Sequence, residues 1–326
     1  MPHLNEPSPG VFVVHLPLPM KPTTVNVTLV CGGDEWALID TGMHSEESLA
    51  ALMEAMNAAG CAPRAIRTIL ATHHHPDHFG ASAALRELTG ATVRMHRLEY
   101  ESSLHYAPGR RTDESLAFFL RHGIPLRRFG TIPSPGEFWS QLYRPAVPDR
   151  FLADGDEIVV GELRFEVIET PGHTRGHCVF YLRERKLLIV GDHLLPKITP
   201  HVGVFPGGPE NPLQDFLDSQ RRCRALEVER ILPAHGGVYS DHRSRIDQII
   251  LHHEYRLKEI LDIVRRSPHV AYDVARAAFG FEIDSPFTVQ FPATFETIAH
   301  LELLRSRDLV RREERGDEIF YAAVRG

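Results

Sequence analysis

Thr72-His73-His74-His75-Pro76-Asp77-His78 places four candidate metal ligands on one short stretch of chain. Read as H-x-H-x-D-H, it sets His73 and His75 two residues apart, with Asp77 and His78 directly behind them. Imidazole and carboxylate are the ligands that suit zinc and its first-row neighbours. The apolar run Ile66–Ala71 before the string reads as a buried strand. The string is therefore predicted on the loop at a strand's carboxyl end, where α/β layers build their sites. A chain with 20 histidines will hold stray pairs; so dense a cluster straight after a strand is more than that.

The same arrangement recurs three times. Thr170-Pro171-Gly172-His173-Thr174-Arg175-Gly176-His177 follows the strand-like Phe165–Glu169, Gly191-Asp192-His193 follows Leu187–Val190, and Pro233-Ala234-His235-Gly236-Gly237 follows Arg230–Leu232. Each turn carries glycine, which permits the tight backbone that aims a side chain inward. The ordered series His73, His75, Asp77, His78, His173, Asp192, His235 resembles the metallo-β-lactamase superfamily of hydrolases. Asp40-Thr41-Gly42 fits that family's early Asp-x-Gly turn. The resemblance covers about residues 10–240, with no ligand position of the binuclear pattern missing.

Composition agrees with a cytoplasmic enzyme. A chain of 326 residues, 43% of them hydrophobic, is long enough for one large domain and a smaller one. Cys31, Cys61, Cys178 and Cys223 show no C-x-x-C spacing, which argues against a thiolate zinc site and a disulfide framework and suits a reducing compartment. Neither a signal peptide nor a membrane-crossing run is read in the chain. The net charge of −7 provides no general attraction to nucleic acid or anionic lipid.

Val11–Val14, Val25–Val30 and Glu35–Ile39 read as strands, the last two paired across Gly32-Gly33-Asp34. Ser45 is the expected N-cap of a helix to about Ala59, ended by Gly60. A second helix is expected over about Ala81–Leu88, stopping at Thr89-Gly90, then a strand over Ala91–Met95. The resemblance implies an α/β fold, an αββα sandwich over residues 1–240, with a small winged-helix-like domain over 241–326. Within the first domain an insert at about 97–150 breaks the pattern. It is rich in aromatics and arginine, with one expected helix near Asp113–His122. A substrate cap over the metal site and a surface excursion burying its own aromatics are both open readings.

In the tail, Ile246, Ile249, Ile250, Leu257, Ile260, Leu261 and Val264 fall on one helical stripe. Helices are expected near Tyr272–Ala278 and Thr294–Ser306, then a hairpin of Leu309–Arg312 with Glu318–Ala322. That order resembles the winged-helix tail of some metallo-β-lactamase-fold hydrolases, single-strand endoribonucleases among them. Residues 241–326 carry 13 Lys/Arg against 15 Asp/Glu, so a phosphate-binding footprint is absent. Dimerisation or walling of the active site is the preferred role.

The resemblance implies that His73, His75 and His173 hold one metal, Asp77, His78 and His235 a second, and that Asp192 bridges them. Two divalent ions about 3.5–4 Å apart lower the pKa of a shared water toward roughly 7, giving a hydroxide nucleophile. Asp77 is expected to orient that nucleophile and carry a proton. Zinc is the default, with iron or manganese as alternatives. His74 should point away from the metals by local alternation. His177 and His193 are candidates for supporting hydrogen bonds; Lys197, Thr199 and His201 are candidates for the pocket mouth. The spacing resembles hydroxyacylglutathione hydrolases (the glyoxalase II-like branch) and thioesterase-like relatives, implying a small-molecule ester or thioester substrate. A single-strand endoribonuclease is the alternative, and a lactonase or β-lactamase ranks below it.

Overall fold

A computed structural model describes residues 4–104, 113–125, 139 and 141–324. Two sheets lie face to face. The first runs, in spatial and chain order, β1 (Leu4–Ser8), β2 (Val11–Pro17), β3 (Thr24–Gly32), β4 (Glu35–Ile39), β5 (Ile66–Leu70), β6 (Thr92–His96) and β7 (Arg150–Leu152). It is antiparallel from β1 to β4 and parallel from β4 to β7. The second has spatial order β12 (Arg230–Pro233), β11 (Leu187–Gly191), β10 (Cys178–Leu182), β9 (Leu163–Glu169), β8 (Glu157–Val160). Because β9 and β11 are each antiparallel to β10, and β12 is parallel to β11, the carboxyl ends of β9, β11 and β12 share one edge.

Side-chain alternation builds the layers. On β2, Val11 and Val13 face the second sheet while Val14 and Leu16 face outward; on β11, Leu187 and Ile189 face inward and Leu188 and Val190 outward. A period of two puts alternate residues on opposite faces, so two strands with both faces apolar demand a helix layer on each side. Helices α1 (Glu46–Ala58), α2 (Pro76–Phe79) and α3 (Ser82–Thr89) cover the first sheet through Leu52, Met56, Phe79 and Leu85. Ser45 caps α1, accepting from the Ser48 amide, and Gly90 follows α3 in the left-handed conformation at φ 74°. The αββα sandwich is thus as expected. Strand β1 was not expected from its polar sequence; it is an edge strand, where Pro7 removes no needed ladder bond.

The other face of the second sheet is covered by α6 (Pro212–Arg224) and the C-terminal elements α7 (His242–Arg266), α8 (Ala271–Phe279) and α9 (Phe287–Ser306). Val179, Leu188 and Val190 of the sheet, Phe216 and Leu217 of α6, Ile246 and Leu257 of α7, and Ile298 and Leu301 of α9 belong to one continuous core. Helix α9 starts seven residues before the expected Thr294, because Pro292 is accommodated inside it rather than ending it. The tail closes with a three-stranded antiparallel sheet, β13 (His269–Val270), β15 (Glu318–Ala323) and β14 (Val310–Arg315). Helices followed by a terminal hairpin is the order the sequence predicts. In the insert, α4 (Arg97–Ser103) and α5 (Asp113–Arg121) are helical. Arg110, Arg111, Arg127 and Arg128 lie outside the described residues. No helix among the described residues is long and apolar enough to cross a membrane.

Candidate metal centre

Every ligand candidate leaves a strand at its carboxyl end: residues 72–78 after β5, 170–177 after β9, Asp192 after β11 and His235 after β12. Asn26 of β3 ties the two sheets together there. Its Nδ2 donates to Pro233 O at 2.8 Å and Gly236 O at 2.7 Å, and its amide donates to Ala234 O. Pro76 opens a single helical turn, so Asp77 and His78 leave the string at a different angle from His73 and His75. The sequence reading placed the whole string on a loop; the short α2 corrects that.

Two groups of ligand atoms result, His73, His75, His173 with Asp192, and Asp77, His78 with His235. In the first, His75 Nδ1 lies 3.0 Å from His73 Nε2 and 3.2 Å from His173 Nε2. In the second, His235 Nε2 lies 3.3 Å and His78 Nε2 3.6 Å from Asp77 Oδ2. Asp192 faces both: Oδ1 is 3.5 Å from His78 Nε2 and 3.5 Å from His235 Nε2, while Oδ2 is 3.7 Å from His173 Nε2.

The outer contacts of the rings decide which nitrogen carries the proton. His173 Nδ1 lies 2.7 Å from His201 O and His235 Nδ1 2.8 Å from Thr24 O. A carbonyl only accepts, so each Nδ1 is protonated and each Nε2 offers a lone pair to the centre. His78 Nδ1 makes the same commitment to Asp40 Oδ2 at 2.9 Å. Asp40 also accepts from the Thr72 amide at 2.8 Å and from Thr72 Oγ1. It does so from the left-handed backbone, φ 61°, that the Asp-x-Gly turn provides.

Electrostatics agree with a cation site. Burial, and after it the neighbouring imidazoles, hold His73 and His75 well below the usual histidine range, so both present neutral rings. Burial also opposes a charge on His78, yet the carboxylates of Asp77, Asp192 and Asp40 hold its pKa well above that range. The pocket therefore favours positive charge, and a metal ion can take the place of that proton. His78 Nε2 and Asp192 Oδ1 are buried without a hydrogen-bond partner, and such orphans are costly unless an ion satisfies them. The donor set fits a divalent metal.

The supporting residues divide. His177 Nδ1 bonds Thr170 Oγ1 at 2.9 Å, and its Nε2 accepts from the Asp192 amide at 3.3 Å, which ties the ring to the Asp192 turn. The His193 ring instead packs on Phe216 at 5.4 Å, outside both ligand groups. Lys197 is exposed. The His201 ring does not line the mouth: its Nε2 donates to Pro292 O of α9 at 3.0 Å, and its carbonyl carries the contact to His173. His74 points away from the ligands as expected, and the reason is a residue the sequence reading missed. Glu99, on α4 and fully buried, accepts from the His74 amide at 3.0 Å, from His74 Nδ1 at 2.5 Å and from the Gly176 amide at 2.6 Å. Burial opposes its charge, but His74 and these donors hold its pKa down to about 2. One carboxylate thus joins the two longest ligand loops.

With this geometry, the sequence profile of the metallo-β-lactamase superfamily matches residues 20–235. The chain belongs to the metallo-β-lactamase superfamily. Members of this superfamily are hydrolases, and this enzyme carries His/Asp clusters suited to a divalent metal. It is 33% identical to a metallo-β-lactamase family protein of Thermus thermophilus whose crystal structure is known, with a TM-score of 0.84 over 97% of this chain and 99% of that one. The probable metallo-hydrolase YqjP of Bacillus subtilis is 23% identical over 97% of this chain and 98% of its own length. The human acyl-coenzyme A thioesterase MBLAC2 is 27% identical over 72% of this chain and 81% of its own length.

Proposed function

We propose that this enzyme is a binuclear metal hydrolase that cleaves a small acyl thioester or ester in the cytoplasm. The observation that carries the binuclear reading is Asp192, whose two oxygens face separate groups of imidazoles. His73, His75 and His173 would hold one ion and Asp77, His78 and His235 the other, with Asp192 placed to serve both; zinc is the first choice by ligand type. A pair of divalent ions held this way supplies a Lewis acid for the carbonyl and lowers the pKa of a water toward roughly 7. The Asp77 side chain is 18% exposed. It orients the attacking water and carries its proton to the leaving sulfur or oxygen, so thioester and water give acid and thiol.

The acyl-CoA thioesterase relative supports the substrate class, as does the hydroxyacylglutathione hydrolase of Rhodospirillum rubrum, 25% identical over 51% of this chain. The ribonuclease reading loses ground at the hairpin. Arg311 and Arg315 pair with Glu313, Arg312 with Glu302, and Arg121 with Glu314, so these arginines are engaged by carboxylates rather than free for phosphates. The four cysteines are free thiols, which suits a reducing compartment.

The test is to count metals by elemental analysis and assay the same sample on acyl-CoA and acyl-glutathione thioesters, lactones and single-stranded RNA. Thioester or ester turnover that is lost on chelation and restored by zinc is expected. For Asp192→Ala, metal content should fall below two per chain, with turnover down by at least about a hundredfold. RNA cleavage without thioester or ester turnover, or turnover indifferent to chelation, would sink the proposal.

A further inference from the structure

His173 belongs to the sandwich by sequence, yet the group that fixes its ring traces to the other end of the chain. Its Nδ1 donates to the carbonyl of His201 at 2.7 Å. His201 lies in the segment that leaves β11 beyond Asp192, and its own Nε2 donates to Pro292 O, 3.0 Å away on α9. Both acceptors are carbonyls, so each histidine's tautomer is committed and each ring is oriented by its bond. A little further on, the Val204 amide donates to Phe295 O of the same helix at 3.2 Å.

Gly203 lies between these two anchors. A Cβ there would fall 2.8 Å from His201 Cε1 and 3.0 Å from Phe295 Cβ. A side chain there would push the His201 ring aside and crowd Phe295 of α9. Phe205 then seals the contact, its ring centre 4.9 Å from that of Phe295 and 6.0 Å from that of His201. The segment after the bridging ligand could have held His173 with any backbone carbonyl. Here the carbonyl that does so belongs to a residue pinned by its side chain to the C-terminal helix.

We propose that the C-terminal unit is part of the metal centre, with His201 the positioning residue through which α9 sets the ring of His173. The tail then acts on hydrolysis by holding a ligand, not by recruiting a nucleic acid or a partner. A metal-bound histidine whose other ring nitrogen loses its acceptor, or keeps it in a displaced loop, binds its metal about 10–100-fold more weakly. The proposal rests on the metal-site reading above, and the experiment separates the two failures.

The full-length protein, His201→Phe, His201→Gln and Gly203→Ala would be loaded with cobalt(II) and titrated with a chelator of known affinity, following the visible absorption of the bound ion. His201→Phe keeps a flat ring but has no donor for Pro292 O; His201→Gln keeps an amide donor of similar reach. The expected result is one cobalt released about tenfold or more readily in His201→Phe and in Gly203→Ala, with a changed absorption band. His201→Gln should lie nearer the parent, and all proteins that fold should share its far-ultraviolet circular dichroism. On the thioester or ester that the assay panel identifies, kcat should fall while KM stays within about twofold. Cobalt affinity and spectrum equal to the parent's in folded His201→Phe would overturn the inference. Should that variant not fold, parental affinity and spectrum in Gly203→Ala would do so. A parent that binds no cobalt refutes the metal-site reading itself, and the inference with it.

Discussion

At the residue scale, the centre depends on side chains that never touch a metal. Asp40 takes hydrogen bonds from the Thr72 amide, from Thr72 Oγ1 and from His78 Nδ1. Asp40→Asn keeps the shape but replaces one acceptor oxygen with an amide donor, which opposes either Thr72 or His78. A loss of about 10–100-fold in affinity for the ion at His78 is expected, read by chelator competition. Glu99→Gln meets the same problem, since the His74 and Gly176 amides are served by separate carboxylate oxygens and glutamine keeps only one. A buried donor left unsatisfied costs about 1–3 kcal/mol. Chemical denaturation should therefore show a loss of that size, with metal content falling because both ligand loops loosen. A Glu99→Gln protein with parental stability and metal content would show that Glu99 is not the clamp.

At the element scale, α7 and α9 meet through histidines as well as aliphatic groups. His253 Nδ1 lies 3.1 Å from His300 Nε2, and His300 Nδ1 donates to Glu296 O at 2.7 Å. Both rings are fully buried. Burial, and for His253 then the His300 ring beside it, lowers their pKa values to about 2 and about 3. The folded state keeps them neutral, whereas the unfolded chain protonates them near pH 6.5. Their contribution is thus complete above that pH and declines as the pH falls toward the folded values. Between pH 6.5 and 5 the loss is about 1.5 kcal/mol per histidine by linkage. Replacing both with glutamine should flatten the decline in unfolding free energy over that interval; an unchanged slope would place the acid sensitivity elsewhere.

At the scale of the molecule, the core ignores the change of motif near residue 240. Ile246, Leu257, Ile260, Ile298 and Leu301 lie in the same apolar cluster as Val179, Leu188, Val190 and Phe216. Removing residues 241–326 would uncover the outer face of the second sheet, and exposed apolar area of that extent leads to aggregation. The truncated chain is expected to be insoluble or to lack a cooperative melting transition, as measured by soluble yield and calorimetry. A soluble, cooperatively melting, active fragment would mean that the tail is an appendage.

The candidate ligands, the strands that carry them and the two-faced layers are all legible along the chain. These are local properties: a period of two writes a strand's faces into consecutive residues, and each ligand sits within a few positions of a glycine or proline that shapes its turn. Ser45 as a cap and Gly90 as a stop are legible for the same reason. What holds those ligands emerges only when the layers pack. Glu99 reaches His74 across 25 positions and Gly176 across 77, and Asn26 reaches Pro233 across 207. No periodicity links such partners, because a buried polar group is satisfied by whatever donor the packed layers bring near it. His201 shows the same division. Its residue type suggested a place in the site, but packing against α9 turned its ring to Pro292 and left its carbonyl for His173.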